Sequence, residues 1–195
     1  MSPSDGQRFV GRGGAKLAAA LDAFGIDPTG MVCADLGCNV GGFTDCLLQA
    51  GAAKVYAVDT GYGILAWKLR RDDRVVVMER TNALHCDVPE PVDLAAVDVS
   101  WTPQRLIVPA ARRWLKPAGE IISLLKPHYE LAKIQRQKPR RTLTEAQTDE
   151  VRRRVCDELD SSGLTVRRSV ASPLRGKGGN REFLLLIRPA GPERP

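Results

Sequence analysis

Asp35-Leu36-Gly37-Cys38-Asn39-Val40-Gly41-Gly42-Phe43-Thr44 follows a short apolar run, Met31-Val32-Cys33-Ala34, and leads into a helical pattern. A strand that ends in a carboxylate, turns through glycines and enters a helix is how an α/β sheet holds a nucleoside cofactor. Glycine lets the backbone approach the ligand, and the helix N-terminus turns unpaired N–H groups toward it. The spacing is not the dinucleotide fingerprint G-x-G-x-x-G, which would put a glycine where Asn39 stands. The glycines alone also fit a plain tight turn between strand and helix, so the flanking sequence has to decide.

Outward from that turn, strand-like and helical segments alternate. Upstream, Leu17, Leu21 and Phe24 share one helical face, and Gly25 is a stop signal. Val32 to Leu36 reads as the first strand and Phe43 to Ala50 as the helix after it, ended by Gly51. Lys54 to Asp59, Arg74 to Met78, Leu94 to Val99 and Glu120 to Leu125 read as the next four strands. Between them, Tyr62 to Arg70 reads as helix, as does the segment from Pro103 to about Leu115. Thr144 is placed to cap a long helix to about Ser162, with Gly163 as its stop. Leu164 to Ala171 and Glu182 to Arg188 are the last strands; with no helix between them they should pair antiparallel. The pattern predicts a Rossmann-like, doubly wound α/β fold with a seven-stranded sheet, mostly parallel with an antiparallel final strand. One domain over residues 13–188 is expected, with tails at 1–12 and 189–195.

The 195 residues are 43% hydrophobic, enough for one buried core, and carry a net charge of +6. A basic balance suits a polyanionic partner, and suits a merely solvated basic surface as well. The densest basic run, Lys133 to Arg141, reads as a loop, whereas Arg152-Arg153-Arg154 reads as a solvated helix face with Asp157 and Glu158. The five cysteines form no C-x-x-C pair, which argues for reduced thiols and against a disulfide framework or a zinc site. With no signal-peptide core and no apolar run of spanning length, a soluble, cytoplasmic protein without a membrane partner is expected.

In an open parallel sheet, ligands bind beyond the carboxyl ends of the strands. Gly37 to Gly42, Asp59, Asp98 and Lys126 all fall there. A carboxylate at Asp59 can accept from both vicinal hydroxyls of a ribose, or cap the segment that follows. Asn82 offers an amide to an adenine edge, or is a plain loop residue. Asp98 and Lys126, on neighbouring strand ends, would meet as a catalytic pair or as a structural salt bridge. Taken singly, Lys16 and Glu182 read as surface charges.

The segments occur in a telling order. Arg12-Gly13-Gly14-x-Lys16-Leu17 comes first, then Asp35-x-Gly37-x-x-x-Gly41-Gly42-Phe43-Thr44 and Val58-Asp59-x-Gly61-Tyr62-Gly63-x-Leu65-Ala66-Trp67-Lys68-Leu69. Asp98-Val99-Ser100, Leu125-Lys126-Pro127 and Gly179-Asn180-x-Glu182-Phe183 follow. From about Phe9 to Ile187 the chain resembles the FtsJ-type ribose 2′-O-methyltransferases, in their hemolysin-A (TlyA) branch. The resemblance implies the layout of an S-adenosyl-L-methionine-dependent methyltransferase. It implies that cofactor on Asp35, Gly37, Asn39, Gly41, Gly42, Phe43, Asp59, Asn82 and Asp98. It also implies RNA, ribosomal RNA first, as the partner, and a Lys–Asp–Lys–Glu tetrad at Lys16, Asp98, Lys126 and Glu182. In that tetrad Lys126 would take the proton of a ribose 2′-OH, with Lys16 the neighbouring cation and the two acids orienting the lysines. The sulfonium supplies the electrophile, so no metal is called for, and most of the rate comes from placing the reactants. The family requires no histidine where His128 stands.

Three departures accompany the resemblance. The branch carries a small RNA-binding domain ahead of its Arg-Gly-Gly motif, where about ten residues stand here. Cys38-Asn39 replaces small residues after the first motif glycine. The basic run replaces a glycine-rich segment, so Arg136, Lys138, Arg140 and Arg141 are expected to hold RNA phosphates in place of that domain, or to form a solvated loop. A noncatalytic RNA-binding or ribosome-assembly factor that keeps the fold is the alternative reading.

Overall fold

Strands covered on both faces read as near-continuous apolar runs, and β1 (Val32–Leu36), β2 (Lys54–Val58) and β4 (Val92–Val97) are of this kind. A computed structural model describes residues 8–100, 102–134 and 142–190. In it these three strands pair in parallel, with β3 (Val75–Met78) outside β2 and β5 (Leu115–Leu125) beside β4. The last strand, β7 (Phe183–Pro189), inserts between β5 and β6 (Leu164–Ala171) and runs antiparallel to both. The sheet order is therefore β3-β2-β1-β4-β5-β7-β6, with β7 alone reversed. This is the Rossmann-like sheet that the alternating pattern predicts.

Two apolar cores cover the sheet faces. On one, α1 (Gly13–Phe24), α2 (Gly42–Gln49) and α3 (Trp67–Arg70) pack through Leu17, Leu47 and Leu69. On the other, α4 (Gln104–Arg112) and α6 (Glu145–Asp160) pack around the fully buried Trp114. α5 (Pro127–Ile134) lies between them in sequence, and α5 and α6 are neighbours in space. The cap signals act as read: Gly25 closes α1 at φ 69°, and Thr144 forms a capping box with Gln147. No described helix is long and apolar enough to cross a membrane.

Three local expectations need correction. Tyr62 to Arg70 is not one helix; only Trp67–Arg70 is helical. Gly63 is left-handed at φ 71°, and Glu79 Oε1 accepts the Ile64 N–H, so the chain turns before it can coil. The fifth strand begins at Leu115 rather than Glu120, its pairing with β4 shifted in register near Val92. The chain after Lys126 is helical up to Ile134, with proline leading where no N–H is needed. The rest of the basic run, residues 135–141, lies outside the described residues, and Arg136, Lys138, Arg140 and Arg141 lie there with it.

Candidate active site

The glycine turn is built on Asp35, buried at the end of β1. Its Oδ2 accepts from Thr44 N at 2.8 Å and from Thr44 Oγ1 at 2.6 Å, which ties the first turn of α2 to the strand. Oδ1 has no partner among the described residues, and Asp35 lines the cavity above it. Burial pushes this carboxyl up to about 7, against the Thr44 hydrogen bonds, with Asp98 and Asp59 adding in the same direction.

That shift has a measurable consequence. A carboxyl with a higher pKa folded than unfolded holds more protons in the folded state between the two values, so stability falls as pH rises through that window. The unfolded value of an Asp is about 4. The urea midpoint is therefore expected to fall on going from about pH 4 to about pH 7, and Asp35→Asn should lessen that slope. An identical slope in the variant would show that Asp35 titrates normally.

The turn itself explains the atypical Asn39. This residue is left-handed at φ 49°, a conformation asparagine tolerates better than most side chains. It aims its N–H at Asp59 Oδ2, 2.8 Å away, while Asp59 Oδ1 accepts the Gly61 N–H at 2.7 Å. Asp59 thus braces two loops, and each of its oxygens keeps a lone pair for a ribose hydroxyl. Asn82 spends Oδ1 on the Leu84 N–H at 3.0 Å, the loop role, while still lining the cavity. Gly41 does not line it. At φ 97° it lets the turn pack against Leu69, which a Cβ would strike.

The cavity holds about 550 Å³ and is bordered by Gly37, Asn39, Phe43, Asp59, Asp98 and Lys126 among others. That volume suits a small-molecule ligand. A wider open groove of about 740 Å³ over α6 contains mutually paired charges such as Arg154 and Glu158 and none of the motif residues. The chemistry belongs to the cavity.

The four sequence-predicted catalytic residues converge as two ion pairs on one edge of the sheet. Lys126 Nζ donates to Asp98 Oδ1 and, at 3.1 Å, to Ser100 Oγ, all three residues lining the cavity. Lys16 Nζ donates to Glu182 Oε2 at 2.5 Å, with side-chain exposures of 9% and 3%. This second pair lies outside the cavity wall. Topology accounts for the meeting. Leu125 pairs with Phe183, so Lys126 and Glu182 leave adjoining strand ends. A Cβ on Gly13, at the start of α1, would come within 3.8 Å of Asp98 Oδ2, which brings the Lys16 helix to the same edge. The backbone at Gly176 closes over the carboxylate of Glu182, and any Cβ there would strike it. His128 is buried beside the Tyr129 ring, 4.2 Å between centroids, and does not line the cavity. Burial, then Lys126, lowers its pKa from the ordinary value.

One group escaped the sequence reading. Tyr62 and Trp67 are 69% and 72% exposed; Tyr62 closely follows the cavity-lining Asp59 and Thr60, and Trp67 follows Ala66, whose N–H donates to the O of Val40, another lining residue. Arg80, left-handed at φ 51°, lays its guanidinium 4.1 Å over the Tyr62 ring. In the sequence both fall within one helical stretch, Tyr62 to Arg70, and neither was given a role; Gly61 and Gly63 were the signals that the first half is a turn.

The residues fit S-adenosyl-L-methionine. Asp59 keeps a free lone pair on each carboxylate oxygen at the cavity wall, as ribose hydroxyls would need, and the buried Asp35 Oδ1 has no partner among the described residues.

Comparisons with known proteins agree. The FtsJ-like methyltransferase family model matches residues 9–188. YqxC of Bacillus subtilis is 41% identical over 182 residues, a match that spans 91% of this chain and 65% of that protein. The 16S/23S rRNA (cytidine-2′-O)-methyltransferase TlyA of Mycobacterium tuberculosis (strain H37Rv) is 41% identical over 200 residues, 95% of this chain and 70% of TlyA. A solved Streptococcus thermophilus structure described as a hemolysin superposes with a TM-score of 0.85 at 37% identity, covering 92% of this chain and 66% of its own. On fold, cavity and sequence alike, the chain belongs to the FtsJ-like methyltransferase family, whose cofactor is S-adenosyl-L-methionine.

Proposed function

We infer that this chain methylates a ribose 2′-OH in RNA, ribosomal RNA being the substrate class, in the cytoplasm. The observation that carries this reading is the Lys126–Asp98 pair set into the wall of a nucleoside-sized cavity. When bound, the cofactor supplies a methyl group on a positively charged sulfur. Asp59 would hold the ribose of that cofactor, and Asp98 holds Lys126 at the cavity wall. Lys126 Nζ, once its ammonium has released a proton to solvent, would accept the proton that the RNA 2′-OH loses as its oxygen bonds to the methyl carbon in place of the sulfur. The Lys16–Glu182 pair stands behind as a fixed, buried support for that edge. The name of the Mycobacterium tuberculosis relative, a cytidine-2′-O-methyltransferase of rRNA, supports the ribose assignment.

Ribosomal subunits lacking the modification, labelled S-adenosyl-L-methionine and the purified chain test this directly. After digestion to nucleosides, label is expected on a 2′-O-methyl nucleoside. Label on a base would overturn the ribose assignment, and binding without transfer would favour the assembly-factor alternative.

The exposed aromatics suit single-stranded RNA, because bases stack on such rings whatever their sequence. Trp67→Ala is expected to weaken RNA binding by roughly 5- to 150-fold, the equivalent of about 1–3 kcal/mol per stacked base. Cofactor affinity should not change. The basic segment begins where α5 ends, and at its far end Thr142 Oγ1 and Leu143 N donate to Gly178 O and Asn180 Oδ1, close in sequence to Glu182. Replacing Arg136, Lys138, Arg140 and Arg141 by Ala should flatten the salt dependence of RNA binding. Fluorescence anisotropy across a salt series reads both effects.

A further inference from the structure

A buried polar cluster on the face opposite α1 and α2 has no part in the mechanism above. Gln104, Ser123 and Glu130 are 2%, 0% and 7% exposed, and come from α4, β5 and α5. Glu130 Oε1 accepts the Gln104 N–H at 2.7 Å. The Gln104 side chain accepts from Ser123 Oγ at 2.6 Å and donates to Leu124 O at 3.3 Å. α4 has no capping side chain of its own, since Pro103 occupies the N-cap, and no acid in its first turn. Glu130 therefore supplies from another helix the acceptor that a helix N-terminus needs.

The place of this cluster in the chain is what gives it a role. Ser123 pairs across the sheet with Val97, the residue before Asp98. Leu124 is two residues before Lys126, and α5 starts at Pro127, directly after it. Gln104 is the first residue of the helix to which the Asp98 loop returns. The stretches of chain leading out of Asp98 and into and out of Lys126 are thus fastened to one another by three side-chain hydrogen bonds. Burial pushes the Glu130 carboxyl up to about 7, the Gln104 N–H opposing; Glu158 of α6 adds to the rise and Arg105 of α4 counters it.

We propose that Glu130 is a positioning residue for methyl transfer: through Gln104 and Ser123 it sets how Asp98 presents Lys126 to the cavity. The proposal rests on the reading of Lys126 as the base. Loss of the Glu130 carboxylate should lower turnover far more than cofactor binding, because none of the three side chains itself lines the cavity. A gap of about 1 Å in a reacting pair can cost on the order of 100-fold.

The test compares Glu130→Met, Glu130→Gln and Ser123→Ala in single-turnover methyl transfer to ribosomal subunits, with cofactor affinity by calorimetry. Lys126 is followed by NMR of lysine labelled at Cε, its resonance assigned with Lys126→Ala. Glu130→Met is expected to slow transfer at least about 10-fold, keep the cofactor dissociation constant within about twofold and move the Lys126 resonance. Glu130→Gln should restore the rate to within about threefold, because its amide oxygen still accepts the Gln104 N–H. Ser123→Ala, which leaves that cap intact, should give an intermediate loss and guards against a Glu130→Met chain that does not fold. The proposal is overturned if the Lys126 resonance stays put in both Glu130→Met and Ser123→Ala, or if rate falls only in step with cofactor affinity. If Lys126→Ala itself keeps full activity, the base assignment fails, while the resonance shifts still decide whether Glu130 positions that edge.

Discussion

Lys126→Ala is expected to lower methyl transfer by about 10²–10⁴-fold while leaving cofactor affinity intact or improved. The drop follows from chemistry: a ribose hydroxyl is a poor nucleophile, and Lys126 is the basic side chain in the cavity wall already fixed by a carboxylate and a hydroxyl. The effect on the cofactor has the opposite sign. Removing the ammonium leaves the Asp98 carboxylate facing the cavity without its partner, and a cationic sulfur would gain from it. Lys126→Arg separates the two roles of this side chain. A guanidinium can keep the ion pair with Asp98, but it stays protonated in proteins and cannot take a proton. Lys126→Arg should therefore be as inactive as Lys126→Ala and as stable as the native chain. Single-turnover transfer with labelled cofactor, paired with calorimetry, reads both quantities. An active Lys126→Arg would mean that the lysine serves as a charge and that the proton leaves by another route.

Much of this arrangement was legible before the fold was known, for reasons that differ by residue. Asp35, Gly37 and Asp59 are local signals, each at a strand end whose apolar run is itself visible, so position in the sheet follows from pattern. Lys16 and Glu182 are not local. They form a buried pair across 166 residues, and only the reversed insertion of β7 beside β5 brings them together. Nothing in either neighbourhood announces that, and the order of motifs was needed to suggest it. The Glu130 cluster was invisible for a further reason. The partners of Glu130 are a backbone N–H and two uncharged polar side chains on two other elements, so neither charge pattern nor periodicity marks the cluster. Tyr62 and Trp67 were missed for another reason: the stretch from Tyr62 to Arg70 reads as one helix, whereas a turn held by Glu79 precedes the short helix and leaves both rings exposed.

Gly37→Ala should disable the site where Gly25→Ala, at another left-handed glycine, does not, and the reason is steric before it is conformational. Gly37 is left-handed at φ 92°, which costs a side chain about 1–2 kcal/mol. Gly25, at φ 69° at the end of α1, carries the same kind of strain, but a Cβ there meets nothing within 4 Å. At Gly37 the added carbon would lie 2.7 Å from the Asp98 carbonyl oxygen and 2.9 Å from Val99 Cγ1. The first of these is backbone and cannot rotate aside. The turn cannot retreat either, because the N–H groups of Gly37 and Cys38 are held by Val58 O at 2.8 and 3.0 Å. The end of β4 must yield, and with it the Asp98 carboxylate that holds Lys126. Overpacking of this kind adds roughly 1–3 kcal/mol, so the loss in stability should exceed that of Gly25→Ala by about that amount. Methyl transfer should fall on the order of 100-fold in Gly37→Ala and stay near native in Gly25→Ala. Urea unfolding and single-turnover transfer on the two variants make the comparison. Equal stability losses with activity retained in both would mean that Gly37 is needed only for its backbone angle, and that the turn does not set the place of Asp98.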